Sequence, residues 1–230
     1  MNDTIWQAAS LIIPLVVAIV FHEVAHGYTA RLLGDPTASE LGRLSLNPLR
    51  HVDPFGTIIL PGLLKLSGLP VFGFAKPVPV MKARLRNPRQ GMMLVAAAGP
   101  ASNLVMGLIG AVLLGLLLRQ YQEVQETSAL VQFTALNLTN FIALNVFLAL
   151  FNLLPVPPFD GGHIVEGLLP RPLAEKFAGM HQQALLVMIL LLVVLPWISP
   201  SLNVVGALVF PPVEWLTGHY LDLAVAVARS

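Results

Sequence analysis

Three stretches of this chain, about residues 5–33, 91–118 and 130–154, stay apolar for long enough to cross a bilayer, whose hydrocarbon core is about 30 Å thick. In that medium a lone segment must satisfy its own backbone hydrogen bonds, and a helix is the conformation that does so. Composition agrees, with 56% of the 230 residues hydrophobic and 11% charged, against about 25% charged in a soluble domain. The mean hydropathy is +0.76. The sequence therefore predicts an all-α polytopic membrane protein, forming a single integral-membrane domain over residues 1–230.

Weaker segments bring the expected count to about five or six. Residues 55–70 are apolar but short and interrupted by Pro61 and Gly62, which suits a re-entrant segment. Val71–Val80 is too rich in Pro and Gly for a helix and predicts a short β-like edge element. Residues 184–217 carry Pro196, Pro200, Pro211 and Pro212 and predict a C-terminal hairpin of two short helices. The first run carries no preceding Lys or Arg, which favours a retained span over a cleaved signal. No internal repeat, low-complexity tract or soluble accessory domain is expected. A net charge of +1 gives no sign of a nucleic-acid partner, and the absence of cysteine excludes disulfides and thiolate metal sites.

The first apolar run also holds His22-Glu23-Val24-Ala25-His26. Histidines four apart share one helix face, about 6 Å apart along the axis, so both imidazoles can reach one zinc ion. Glu23, offset around the helix, can act as general base on the water that such a metal activates. Ionisable groups at membrane depth are costly, so their presence there points to use. His22 lies about 24 Å along the helix from Trp6, which suits the outer interface, placing the motif just inside the opposite face.

A hydrolytic zinc takes three protein ligands and leaves one position open. By residue type the third could be His51, Asp53, Asp160, His163, His181 or His219. Asp160 stands out by its setting, after three prolines that break the helix and before Gly161-Gly162, which let the backbone turn closely. If residues 55–70 do not cross, Asp160 emerges on the same membrane face as His22 and His26. His163 fits a partner to that site or a competing ligand. His51 and Asp53 suit bracing of a turn, and Asn103 suits holding a kinked span to its neighbour. His181 and His219 suit the interface. The small residues Ala96, Ala97, Ala98, Gly99, Gly107 and Gly110 suit close helix packing.

Of the thirteen Lys and Arg residues, eight lie between the first two strong spans, and Arg31 lies near the end of the first. The positive-inside rule puts that connection in the cytoplasm and the N-terminus outside, in a multi-pass protein of the cell membrane. Lys82, Arg84, Arg86 and Arg89 suit contact with anionic lipid headgroups.

The motifs HEVAHG (22–27), GRLSLNPLRHVDPFG (42–56), FGFAKPVPV (72–80), GPASN (99–103) and NLLPVPPFDGG (152–162) extend over most of the chain. In these the chain resembles the site-2 protease family of intramembrane zinc metalloproteases, in its short bacterial form. The resemblance implies that His22, His26 and Asp160 hold one Zn2+ per chain and that Glu23 is the general base. It implies that Asn152 binds the substrate or its developing oxyanion, and that the substrates are transmembrane segments of membrane proteins within the lipid bilayer. An extended 72–80 segment could pair with an unwound substrate by β-addition. The competing expectations are a membrane metal transporter, which would use Glu23 as ligand or relay, and a catalytically inactive member that binds client spans.

Overall fold

A computed structural model of the protein describes residues 3–59, 62–63, 66, 75–121, 127–179 and 183–230. In chain order its helices are α1 (Asp3–Leu32), α2 (Thr37–Glu40), α3 (Pro88–Gln120), α4 (Ala129–Asn152), α5 (Asp160–Leu168), α6 (Arg171–Gly179), α7 (Ala184–Ile189), α8 (Leu195–Ile198) and α9 (Val204–Arg229). The described residues include no strand. Helices α1, α3 and α4 are long and apolar enough to cross a membrane. They correspond to the three expected spans.

The ends of these helices follow local chemistry. The second span begins three residues earlier than its apolar run, because the Asn87 side chain accepts from the Gln90 N–H and Pro88 takes the first turn. A proline there costs no hydrogen bond. Close to this start, α1 stops at Gly34, whose φ of 110° is a conformation that side chains rarely adopt.

Beyond Gly34, Asp35 is fully buried. Its carboxylate accepts from the Thr37 hydroxyl, from the Thr37 N–H at 3.1 Å and from the Met81 N–H at 2.6 Å. It thus ties the end of α1 to the segment leading into α3. Burial alone would raise its pKa, but those hydrogen bonds and the nearby Arg84 charge outweigh it and hold Asp35 below the usual carboxylate range. A carboxyl whose folded pKa is depressed stabilises fully above its unfolded value of about 4, and that contribution is lost as pH falls through the folded value. Asp35→Asn should therefore cost about 1–3 kcal/mol at neutral pH, since an amide cannot accept at both ends. Thermal unfolding of the two proteins should converge as the pH is lowered below about 4. A gap that stayed constant with pH would refute the assignment.

Helix α9 packs on α3 and α4. Ala111, Leu114, Ile142 and Ala224 form a buried cluster among the three, and the Tyr220 hydroxyl donates to the Leu104 carbonyl at 3.1 Å. Small residues permit the approach: a Cβ on Gly107 would lie 3.0 Å from the Tyr220 ring, and one on Gly110 2.9 Å from the Phe141 ring. The packing expected of the small-residue stripe is seen at Gly107 and Gly110, whereas Gly99, expected to serve packing alone, faces the His22 and His26 rings. A second cluster (Val146, Leu154, Phe159, Met188, Val209, Val213) joins the end of α4 to residues nearer the C-terminus.

Two expectations change shape here. In the C-terminal block, helical residues run from Ala184 to Ile198, a 3-10 turn follows, and α9 then continues to Arg229 rather than ending near 217. Pro211 and Pro212 sit inside α9 without ending it. A proline need not end a helix where neighbouring helices hold the bent backbone. Of the expected re-entrant segment, Pro54–Ile59 forms a short π-helical turn, and most of the remainder lies outside the described residues. Residues 71–74 of the expected edge element also lie outside them, and 75–80 carries no strand pairing.

Candidate metal centre

Helix α1 places His22 and His26 one turn apart on a single face. Asp160 reaches them from the first turn of α5, on the far side of α4 in sequence. Gly161 and Gly162 make this return possible, because a Cβ on Gly161 would collide with the Leu153 and Leu154 carbonyls and one on Gly162 would lie 3.0 Å from the Pro157 nitrogen. The Nε2 atoms of His22 and His26 are 3.0 Å apart, and both approach Asp160 Oδ2, at 3.2 and 3.4 Å. These three side chains are the metal-capable cluster among the described residues.

The protonation of the rings follows from their outer contacts. His26 Nδ1 lies 2.7 Å from the Val95 carbonyl, which can only accept, so Nδ1 carries a proton and Nε2 is the nitrogen placed to meet a metal. His22 Nδ1 is 2.6 Å from Asn103 Oδ1. Asp160 Oδ2 is buried and finds no hydrogen-bond donor. Three potential ligand atoms thus converge on one point. Their separations also suit zinc: ligands about 2.0–2.1 Å from a tetrahedral ion lie about 3.3 Å apart. The donor set of two imidazoles and one carboxylate is one that zinc hydrolases use.

Gly99 forms the wall of this cluster. A Cβ there would lie 2.5 Å from His26 ring atoms and 2.6 Å from the His22 ring. The same α3 turn carries Asn103, which is fully buried and also donates to the Ala18 carbonyl at 3.2 Å and to Asn145 Oδ1 at 2.8 Å. Asn103 does hold spans together, as its setting in GPASN suggests. What the sequence does not show is that one of its contacts is a candidate ligand. A buried amide in an apolar span is the available signal, because such a group must find partners.

Glu23 is not among the three converging groups. Its Oε2 accepts the Val78 N–H at 2.8 Å. Asn152 ends α4, where its amide donates to the Leu148 carbonyl at 2.9 Å, leaving a second amide hydrogen. His51 Nε2 bonds the Ser45 carbonyl at 2.7 Å and Asp53 accepts from the Gly56 N–H at 2.7 Å, so both brace the connection, as expected of them. His163 Nδ1 lies 3.6 Å from Glu166 Oε2 and stands outside the cluster of three. His219 bonds the Trp215 carbonyl within its own helix. His181 lies outside the described residues.

Three residues of the basic stretch after residue 80 make contacts within the protein, while the Lys82 and Arg84 side chains stay about 45% exposed and Arg86 is exposed, which leaves the expected lipid contact open to them. Lys82 pairs with the buried Glu166 at 2.5 Å, Arg84 with Glu40 at 2.7 Å, and Arg89 donates to the Glu166 carbonyl at 3.3 Å. Two of these contacts land on α5, the helix that begins with Asp160, and so help to hold it over the cluster.

Comparison with known proteins identifies the family. The sequence model of peptidase family M50 matches residues 10–194. YwhC of Bacillus subtilis (strain 168) is 41% identical over 185 residues, covering 80% of each chain. Rip2 of Mycolicibacterium smegmatis is 30% identical over 212 residues, which span 86% of this chain and 75% of Rip2. MJ0392 of Methanocaldococcus jannaschii is 28% identical over 171 residues, 74% of this chain and 37% of that protein. All three names contain the words zinc metalloprotease. No solved structure matches.

Proposed function

This chain belongs to peptidase family M50, and we propose that this zinc metalloprotease hydrolyses peptide bonds in or near the transmembrane segments of other membrane proteins. The observation that carries the proposal is the convergence of one ligand atom each from His22, His26 and Asp160 within 3.4 Å of one another, beside helices long and apolar enough to cross a membrane. A zinc ion held there would supply Lewis acidity and lower the pKa of water toward neutrality. We assign one ion per chain to these three residues.

The remaining steps fall to the chain's own groups. Glu23 takes a proton from the attacking water and later delivers it to the leaving amine. Its carboxylate is aimed by the Val78 N–H, which bonds one oxygen and leaves the other available. Asn152 has one amide hydrogen tied to Leu148, and its second can meet the oxyanion that develops on the scissile carbonyl. The side chains of His22, His26 and Asp160 are only 9%, 11% and 17% exposed, so the site excludes bulk water while the substrate is held. The charge distribution supports a cytoplasmic position for this face, with the N-terminus outside.

Residues 75–80 support a different role from a long β-ladder with substrate. Pro77 and Pro79 have no N–H, Lys76 donates to the His51 carbonyl at 2.8 Å and Val78 donates to Glu23. A partner strand would therefore meet acceptors with few donors. The segment's stronger role is to aim Glu23. Val78→Pro removes that bond; a hydrogen bond to a charged group contributes about 1.5–3 kcal/mol, so cleavage should fall about tenfold or more. Zinc content should not change. Cleavage at the wild-type rate would refute the role.

The proposal is tested by incubating purified, zinc-loaded protein in detergent with a panel of single-span membrane peptides and locating the cuts by mass spectrometry. Cuts clustered within or at the edge of the spans support it. Cuts confined to the soluble tails overturn it.

A further inference from the structure

The candidate ligand His22 is useful to a metal only if its proton sits on Nδ1, and a neutral imidazole in water has no strong reason to keep it there. We propose that Asn103 and Asn145 form a directional relay, anchored on the backbone carbonyls of Ala18 and Phe141, that holds His22 as the Nδ1–H tautomer with Nε2 free for the metal. The inference rests on the reading of His22 as a ligand and adds two positioning residues to it, one of which touches no ligand at all.

The argument is one of hydrogen-bond direction. An amide side chain can be turned end for end, so its orientation has to be decided by partners whose polarity cannot change. Both asparagines are fully buried, where no water can make good a mismatch. The Asn145 amide nitrogen lies 2.8 Å from the Phe141 carbonyl, which can only accept. The nitrogen must stay there, and Oδ1 of Asn145 must face Asn103. The Asn103 amide nitrogen lies 2.8 Å from that oxygen and 3.2 Å from the Ala18 carbonyl, two acceptors that both demand a donor. Asn103 Oδ1 is then left facing His22 Nδ1 at 2.6 Å, and an oxygen there requires an N–H on the ring.

Each way of reversing the chain fails at a fixed point. Turning Asn103 alone sets its oxygen against Ala18 and Asn145. Turning both asparagines still sets oxygen against the Ala18 and Phe141 carbonyls. Each such clash leaves buried acceptors facing one another, which is costly where the dielectric is low. The relay draws on three helices, α1 through Ala18 and His22, α3 through Asn103, and α4 through Asn145 and Phe141. Tautomer selection therefore depends on the packing of the spans.

The test measures the ring proton and the metal separately. Nitrogen-15 NMR of the full chain in micelles, zinc-stripped and with histidine labelled, reports which His22 nitrogen carries hydrogen, the signal being assigned by its loss in His22→Gln. Zinc affinity is measured by chelator competition for wild type, Asn103→Leu, Asn145→Leu and Asn145→Asp. In the wild type the proton should sit on Nδ1. Asn103→Leu should weaken zinc binding about 10–100-fold, the usual effect of losing a ligand's supporting partner, and Asn145→Leu about tenfold. Asn145→Asp, neutral when buried, can accept from Asn103 and donate to Phe141, and should bind zinc within about threefold of wild type.

A wild-type His22 with its proton on Nε2 overturns the relay, and that result needs no variant to fold. So does an Asn145→Leu protein with wild-type tautomer and affinity, or an Asn145→Asp protein as weak as Asn145→Leu. If His22→Gln binds zinc as tightly as wild type, the assignment of the ligand fails instead. The ring-proton result then still judges the relay.

Discussion

Replacing Glu23 by Gln will abolish turnover on membrane-span peptides while the protein keeps its zinc. The amide has the shape of the carboxylate and can still accept the Val78 N–H that the native side chain accepts at 2.8 Å, so the backbone around it has no reason to move. What it loses is the capacity to take a proton from water. General-base groups contribute about 10²–10⁴-fold in rate, and a loss of that order is expected in single-turnover cleavage followed by mass spectrometry. Zinc content, measured on the same preparation, should match the wild type because Glu23 does not share the cluster formed by His22, His26 and Asp160. A variant that keeps cutting would show that another group is the base. A variant that loses the ion would make Glu23 a ligand, as a metal transporter would use it.

Gly99→Ala should produce the second large effect, and it should strike metal binding. The added Cβ would fall 2.5 Å from His26 ring atoms and 2.6 Å from the His22 ring. Side-chain ends can often swing aside, but these rings are tethered through Nδ1 to the Val95 carbonyl and to Asn103. Either a tether breaks or α3 moves away from α1. Losing the support of a metal ligand typically costs about 10–100-fold in affinity, and with both rings displaced the upper end is expected in chelator competition. Gly218→Ala provides the control, because a Cβ there meets nothing within 4 Å. Wild-type affinity in Gly99→Ala would mean that the cluster is looser than its hydrogen bonds imply.

The two variants bear on residues that differ in how legible they are in the sequence. Glu23 belongs to a local pattern: two histidines four apart on a helix, with a carboxylate between, need no knowledge of the rest of the chain. Asp160 is legible for a related reason, since prolines and paired glycines announce a sharp turn with a polar side chain at its end. Gly99 and Asn103 lie in a short motif, but their task depends on which helix faces them. Asn145 belongs to no motif, and its link to His22 runs through a side chain 42 positions away.

The basic stretch after residue 80 shows the same limit. Lys82, Arg84 and Arg89 form a cationic run suited to lipid, while the acidic partners sit 84 residues away for Lys82 and 44 for Arg84. Nothing local reveals that Glu166 is buried beside them. In the C-terminal block the prolines at 211 and 212 suggest short helices, yet contacts with α3 and α4 sustain α9 across them.

By itself the sequence determined the membrane class, the three long helices, and the His-Glu pattern with its acidic counterpart at 160. All of these depend on apolar run length or on spacing within one turn or one bend, which the chain encodes locally. Only the tertiary structure decided that Asp160 meets the two imidazoles, that Gly99 makes room for them, and which partners orient the His22 ring. The reason is physical: inside a bundle a polar side chain takes its hydrogen bonds from whichever helix packs against it, and packing partners are chosen by shape over the whole fold.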